Sequence, residues 1–171
     1  MDKFPDPTEV HARRGAPHTF DAKKYVSLIK SLKEPSTVII RAPSFDHSVK
    51  GKTAIKSGSH IEDPVEDDIP IRPSHRIVII EGNYIQLTVS PWGEATGLLD
   101  EKWFIMVDRD VARERVIKRH MLAGIARTEE EAAIRFDEND WPNGEYLLQN
   151  SNVENADKKI HSIQDPGLSQ A

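Results

Sequence analysis

The amino-acid sequence predicts an α/β fold in which a parallel sheet is flanked by helices. Two apolar runs, Ile77–Ile80 and Trp103–Val107, are rich in β-branched or aromatic residues and show no polar alternation. Such runs are typical of strands that are covered on both faces, as in parallel sheets. A carboxylate follows each run, Glu81 after the first and Asp108 after the second. Because ligands bind at the carboxyl ends of parallel strands, the two acids predict a site at one sheet edge.

Composition limits the classes of function. The chain has 171 residues, of which 37% are hydrophobic and 30% charged, which suits one soluble domain. Its formal net charge of −5 argues against nucleic-acid and membrane partners. The absence of cysteine excludes disulfides, thiolate catalysis and cysteine-ligated zinc. Because the sequence has neither a secretory apolar segment nor a membrane-spanning run, we expect a cytoplasmic protein.

The first predicted helix begins near Thr19 or Asp21, since either side chain can cap it. An apolar stripe at helical spacing follows, formed by Tyr25, Leu28, Ile29 and Leu32. Pro35 ends the helix, and Thr37–Ile40 predicts a short buried strand. A helix between two strands implies a crossover connection, so we expect this strand to pair in parallel.

The region after this strand has weak structural signals. Gly51–Glu62 is predicted to be a flexible insert, and Asp63–Asp68 an acidic turn. Gly51-Lys52-Thr53 resembles the end of the phosphate-binding loop Gly-x-x-x-x-Gly-Lys-[Ser/Thr]. The first glycine of that motif would fall on Asp46, and no apolar strand leads directly into the segment. We therefore reject this match.

Asp108–Gly124 predicts a helix that carries the most basic patch of the chain. Three small or apolar residues are predicted to share its buried face, namely Ala112, Val116 and Ala123. Arg115 and Arg119 lie one turn apart on another face. A solvated helix face is the simplest interpretation, and nucleic-acid binding is an alternative that the net charge disfavours. Because the helix starts at the predicted sheet edge and ends at a Gly124 hinge, we favour a mobile cationic lid over residues 109–140.

The C-terminal part begins with a capping box, in which Thr128 bonds forward and Glu131 bonds back. The helix that follows is predicted to direct its apolar side chains inward, namely Ala132, Ala133 and Phe136, and to end within Asn139–Gly144. A further helical turn is expected over Tyr146–Gln149. Ile160–Ile163 predicts a weak final strand, and residues 165–171 should be frayed.

Adjacent arginines, Arg13 and Arg14, lie in a turn-rich loop near the start of the sequence. They indicate either a solvated basic loop or a clamp for an anion, because guanidinium groups bind phosphate and carboxylate in bidentate fashion.

Several short motifs occur in the order found in the uridine kinase-like P-loop kinases, a group that includes pantothenate kinase and phosphoribulokinase, and the chain resembles this family. The motifs are Pro5-Asp6-Pro7, Arg13-Arg14-Gly15-Ala16-Pro17 with Thr19-Phe20-Asp21, Pro43-Ser44-Phe45-Asp46-His47, Glu81-Gly82-Asn83-Tyr84, Arg113-x-Arg115-x-x-x-Arg119-His120 and Asn139-Asp140-x-Pro142-Asn143. They cover nearly the whole chain, and their combination is far more specific than any one of them.

The resemblance implies ATP-dependent phosphorylation of a hydroxyl on a nucleoside, sugar or similar acceptor, with ATP and magnesium as cofactors. Glu81 would be the acid near magnesium, and Arg115 and Arg119 would be lid arginines that reach the transferred phosphate. The residues implied at the acceptor pocket are Arg13, Arg14, Phe45, Asp46, His47 and Tyr84.

Members of this family begin with a strand, a phosphate-binding loop, a helix and a catalytic aspartate, none of which is matched here. The resemblance therefore implies a partial P-loop-kinase-like domain that lacks its first strand, phosphate loop and first helix. That strand would lie between Ile77–Ile80 and Trp103–Val107, so we expect unpaired edges and self-association through them. We also expect little or no kinase activity from this chain alone. A non-catalytic ligand-binding or partner-dependent module is the alternative.

Overall fold

The computed structural model describes residues 15–44 and 65–163. Its helices and strands, in chain order, are α1 (Ala22–Lys33), β1 (Ile40–Ser44), β2 (Val65–Ile71), α2 (Trp92–Thr96), β3 (Trp103–Met106), α3 (Arg109–Leu122), α4 (Glu129–Arg135), α5 (Trp141–Asn150) and β4 (Lys158–His161). A π-helical turn, Phe136–Asp140, joins α4 to α5. The predicted insert at 51–62 and the tail at 165–171 lie outside the described residues. None of the described helices is long and apolar enough to cross a membrane.

The parallel pair of strands confirms one part of the predicted sheet. β3 pairs in parallel with β4, with Trp103 opposite Lys158 and Met106 opposite His161. The strand predicted at Trp103 is therefore present, but the prediction that it is buried is wrong, since Trp103 is 56% and Ile105 66% exposed. The final strand begins two residues before its predicted start at Ile160. Helix α3 follows β3 directly, so its N-terminus lies at the carboxyl end of a parallel strand.

The other pair of strands corrects two predictions. β1 begins at Ile40 rather than at Thr37, and it pairs antiparallel with β2, with Ile40 opposite Ile71. The parallel pairing expected after α1 is therefore wrong for this strand. The acidic run was expected to form a turn, but its residues from Val65 onward belong to β2. Ladder partners decide whether a segment becomes a strand, and they override its local composition.

The apolar run Ile77–Ile80 is not a strand in the structure. Ile77 is 80% exposed and Ile79 is 89% exposed, so the prediction of a buried strand is wrong. None of the four described strands pairs with this run. Only Ile80 packs against a buried cluster, which α1 and α2 form together. Glu81 consequently follows a segment without regular secondary structure instead of a strand end.

Two buried clusters hold the first half of the described chain together. The first joins α1 to α2 through Val26, Ile29 and Ala95. The second, which we call the aromatic cluster, consists of Tyr84, Leu87 and Trp92. Helix α1 was predicted correctly. The Asp21 carboxylate caps it by accepting a hydrogen bond from the backbone N–H of Lys24 at 3.0 Å.

In the second half of the described chain, the buried face of helix α3 differs from the predicted one. The buried residues of α3 are Ile117 and His120, so the face predicted from Ala112, Val116 and Ala123 is wrong. Packing against α4 selects this face, because Ile117 joins Ala126 and Ala132 in a third buried cluster. The capping box is confirmed at Thr128, whose Oγ1 accepts from the Glu131 N–H at 3.1 Å. The Glu131 carboxylate accepts from the Arg127 N–H at 2.8 Å, one residue earlier than expected.

The sequence predicted that a helix ends within Asn139–Gly144, and this prediction is wrong. The π-helical turn passes directly into α5, which extends from Trp141 to Asn150 and includes the predicted turn at Tyr146–Gln149. Pro142 is tolerated because the N–H of a residue in the first turn has no helical partner to lose.

Candidate functional site

The structure tests the position of only some predicted site residues. Five of them, Arg13, Arg14, Phe45, Asp46 and His47, lie outside the described residues. Glu81, Tyr84, Arg115 and Arg119 are the predicted site residues that fall within the described ranges.

Tyr84 is almost completely buried, with 3% of its surface exposed. Its hydroxyl donates a hydrogen bond to the carbonyl oxygen of Gly15 at 2.5 Å. Its ring packs edge-on against Phe20, with 5.3 Å between the centroids. The turn at residues 83–86, which follows Glu81, is thereby joined to the segment that directly follows the adjacent arginines. Sequence reasoning placed Tyr84 at the acceptor pocket but did not identify this contact, which spans 69 positions.

The segment that Tyr84 holds is itself well fixed. Gly15 has φ +93°, a conformation that residues with a Cβ rarely adopt. Ala16 is buried, and its carbonyl accepts from both the Thr19 hydroxyl at 2.7 Å and the Thr19 N–H at 2.9 Å. The Nδ2 of Asn143 lies 3.9 Å from the place where a Cβ on residue 15 would stand. Three of the motifs noted in the sequence thus meet around Gly15.

Glu81 is exposed, three residues before Tyr84. In kinases Mg²⁺ is bound by one or two carboxylates together with substrate phosphates, so a single open carboxylate has suitable donor chemistry. Within the described ranges, no group of three histidine, cysteine or acidic residues is arranged to hold a metal. Glu81 could therefore act on a metal ion that phosphates also ligate.

The arginines of α3 divide into two sets. Arg109 and Arg113 both bind Asp137 in the π-helical turn, at 2.9 and 3.1 Å. These hydrogen bonds, that of Arg113 foremost, and the two positive charges hold the pKa of Asp137 below its usual value. The Arg109 guanidinium also lies over the Trp141 ring, 5.1 Å from its centroid. Both residues therefore attach α3 to the turn.

Arg115 and Arg119, the predicted phosphate ligands, lie on a different side of α3. The Arg115 guanidinium donates to the Ser162 Oγ at 2.7 Å, just beyond the end of β4. Ser162 is placed there by the strands, since its N–H donates to the Met106 carbonyl at 2.8 Å. Arg119 is exposed one turn further along the helix. The structure thus brings Arg115 to the edge at which β3 and β4 end.

A buried histidine–carboxylate pair also joins α3 to the π-helical turn. The Nε2 of His120 lies 2.7 Å from the Asp140 Oδ2, and the histidine side chain is almost fully buried. The neighbouring Asn139 is buried as well. The sequence showed both motifs, Arg119-His120 and Asn139-Asp140, but gave no sign that they touch. Together with Asp137, this pair attaches α3 to the π-helical turn.

Comparison with known proteins identifies relatives, although no family model matches the chain. The sequence is 41% identical over 150 residues to a Schizosaccharomyces pombe protein named "Putative uridine kinase C227.14", and the match covers 88% of this chain and 59% of that protein. It is 39% identical to the ATP-dependent kinase-like protein notR' of Aspergillus versicolor, over 86% of this chain and 80% of the relative. The chain thus spans 59% of the first relative and most of the second.

A solved structure shares the fold. The crystal structure of YFH7 from Saccharomyces cerevisiae, described as "a putative P-loop containing kinase with a circular permutation", superimposes with a TM-score of 0.74 at 27% identity. The superposition covers 96% of this chain and 53% of YFH7. The predicted α/β class is thereby confirmed.

Proposed function

The chain belongs to the uridine kinase-like P-loop kinases, and on that premise we propose that it supplies the acceptor and lid parts of an ATP-dependent small-molecule kinase. The reaction is phosphoryl transfer from ATP to a hydroxyl of a nucleoside, sugar or similar acceptor. The observation that carries the proposal is the junction at Gly15. There the turn that follows Glu81 meets the segment that follows Arg14, and the Asn143 Nδ2 lies 3.9 Å from the place where a Cβ on residue 15 would stand.

Phosphoryl transfer depends mainly on positioning and on positive charge around the phosphate oxygens. When bound, MgATP supplies the phosphoryl group and the metal. Glu81, which is exposed, would be the carboxylate that holds the metal, and Arg115 and Arg119 would stabilise negative charge on the phosphate from the lid region at 109–140. The position of Arg115 at the carboxyl end of β3 and β4 supports this role, because that edge is where α/β sheets bind ligands.

The acceptor is bordered by Arg13, Arg14, Phe45, Asp46, His47 and Tyr84. Tyr84 supports the assignment, since its hydroxyl donates a hydrogen bond to the carbonyl of Gly15, the residue that follows Arg14 in the sequence. The name of the Schizosaccharomyces pombe relative makes uridine the first acceptor to test.

We further propose that this chain alone has little or no turnover. The sequence contains no Gly-x-x-x-x-Gly-Lys-[Ser/Thr] segment, whose backbone N–H groups hold polyphosphate in P-loop folds. The same observation favours the second candidate, a non-catalytic module that binds the acceptor or acts with a partner.

Calorimetry with uridine, with a sugar such as fructose and with MgATP, together with an assay for ADP, tests these proposals. We expect one of the hydroxyl compounds to bind, MgATP to bind only at millimolar concentration or above, and no ADP to form. Micromolar binding of MgATP with release of ADP would show a complete kinase and overturn the proposed inactivity. Failure of every hydroxyl compound to bind would overturn the acceptor role.

The lid arginines are tested with tripolyphosphate as the probe. Arg115→Ala and Arg119→Ala should each weaken its binding, while Lys118→Ala, on an exposed position of the same helix, should have a much smaller effect. Equal effects of all three changes would indicate a general charge effect, and the specific role would be wrong.

A further inference from the structure

We infer that Ser162 is a positioning residue, whose hydroxyl holds the Arg115 guanidinium at the sheet edge where a phosphate group would bind. Ser162 acts through Arg115 and needs no contact of its own with the phosphate. The inference rests on the proposed function, because Arg115 is assigned to the phosphate there. It adds that the two lid arginines are unequal, since Arg115 is held by the sheet and Arg119 is exposed one turn away.

The backbone places Ser162 at the carboxyl edge of the parallel strands. The serine directly follows β4, and its N–H donates to the carbonyl oxygen of Met106, the last residue of β3, at 2.8 Å. This bond lies directly after the last pair of the ladder, Met106 with His161. The strands themselves therefore fix the serine at the edge where α/β sheets bind ligands.

Helix geometry brings Arg115 to the same place. Helix α3 begins at Arg109, just beyond the end of β3, and Arg115 lies about 9 Å along its axis. Side chains of a helix tilt toward its N-terminus, so a long arginine at this position reaches back toward the sheet edge. Its Nη1 donates to the Ser162 Oγ at 2.7 Å. Arg119 lies one turn further from this edge.

The bond orients Arg115 without offsetting its charge. Serine is uncharged, whereas Arg109 and Arg113 of the same helix form ion pairs with Asp137. The contact between Arg115 and Ser162 is partly buried, so water competes less for it than for a bond on the open surface. An arginine that is oriented before a ligand binds loses less rotamer freedom on binding. Ser162 therefore raises the affinity for phosphate through Arg115.

The experiment is a double-mutant cycle in the whole chain, with tripolyphosphate as the probe and calorimetry at low ionic strength as the measurement. Ser162→Ala should weaken binding about fivefold, because the ligand must then order the Arg115 side chain itself. In the Arg115→Ala background it should have no further effect, since the group on which it acts is gone. In the Arg119→Ala background it should keep its full effect.

Two further variants separate positioning from stability. Ser162→Thr keeps the hydroxyl and should bind tripolyphosphate as well as the unchanged chain does. Ser31→Ala removes an exposed hydroxyl that donates to the Ser27 carbonyl at 3.0 Å within α1, and it should leave the affinity unchanged. Thermal melts of the same samples report any change in the stability of the fold.

A purely structural role for Ser162 predicts that Ser162→Ala weakens binding equally in the Arg115→Ala and Arg119→Ala backgrounds, and this result would overturn the inference. Binding by Ser162→Thr as weak as that by Ser162→Ala would overturn it as well. Tighter binding by Ser162→Ala would show that the serine withholds Arg115 from phosphate, which is the opposite of the inferred role.

The proposed function fails on different results. If Arg115→Ala leaves the binding of tripolyphosphate unchanged, the lid role of this arginine is wrong, and the inference is wrong with it. If the cycle shows the expected coupling but no hydroxyl compound binds, the positioning role of Ser162 stands and the acceptor class is wrong.

Discussion

Two apolar segments lie only a few residues apart and have opposite environments. Ile77 and Ile79 are 80% and 89% exposed, whereas Leu87 of the aromatic cluster is completely buried. In the sequence the first segment has the stronger strand pattern, and the second is interrupted by polar residues. The difference lies in their neighbours. Helices α1 and α5 pack against the aromatic cluster, while no described strand pairs with Ile77–Ile80.

The comparison shows that an apolar run is buried only when another element is there to cover it. The aromatic cluster is covered by helices that are distant in sequence, because Ala22 and Tyr25 of α1 and Leu147 of α5 pack against it. A run in the middle of a parallel sheet needs strands on both sides, and their backbone groups must complete its ladder.

The largest effect is expected from shortening a side chain in each segment. Leu87→Ala removes a completely buried side chain and should lower the free energy of unfolding by about 2–5 kcal/mol. Ile79→Ala should change it by less than about 0.5 kcal/mol, because its side chain faces water. Urea denaturation measures both values. A large decrease in the free energy of unfolding for Ile79→Ala would show that this segment is covered in solution.

Two helix glycines test packing in the covered and open parts of the molecule. A Cβ at Gly93 in α2 would lie 2.4 Å from the Thr88 carbonyl oxygen, so Gly93→Ala should cost about 1–3 kcal/mol. At Gly144 in α5 a Cβ would meet nothing within 4 Å, and Gly144→Ala should stabilise by about 0.5–1 kcal/mol. Thermal melts should therefore shift in opposite directions. A shift in the same direction for both would contradict the packing at Thr88.

The exposed segment should also mediate self-association, which we propose from its apolar character. Ile79→Lys adds a charge to an unpaired apolar edge, a device that natural proteins use against edge pairing. It should weaken association about tenfold, equivalent to about 1.4 kcal/mol. Sedimentation velocity over a range of concentrations measures this.

Ile134→Lys is the control for this change. Ile134 is also an exposed isoleucine, but it lies on α4 and not in the apolar run. If both variants weaken association equally, the effect is one of net charge. If the unchanged chain is a monomer at every concentration, the segment is not adhesive and the proposal is wrong.

The smallest expected effect is a change in the free energy of unfolding at alkaline pH, caused by Tyr25 beside the aromatic cluster. Burial raises the pKa of Tyr25 from 10.0 to about 12. The unfolded chain loses this proton first, so the contribution to stability is present below pH 10 and is lost as the pH rises toward 12. Tyr25→Phe should make the unfolding free energy fall less steeply in this window. Identical slopes for the two proteins would show that Tyr25 is open to water.

The sequence by itself determined the features whose causes are local. The start of α1 follows from the Asp21 cap and its apolar stripe, and the start of α4 follows from the Thr128 capping box. The strand at Trp103 and the ordered motifs of the kinase family were also readable, and the relatives confirm that family.

Only the tertiary structure decided which of these elements are covered and what they touch. The exposure of Ile77–Ile80, the antiparallel pairing of β1 and the buried face of α3 all depend on partners distant in sequence. The contact between Tyr84 and Gly15 is of the same kind. Helix caps and apolar periodicity act within a few residues, whereas a strand partner or a buried hydroxyl's acceptor is chosen by the packing of the whole chain.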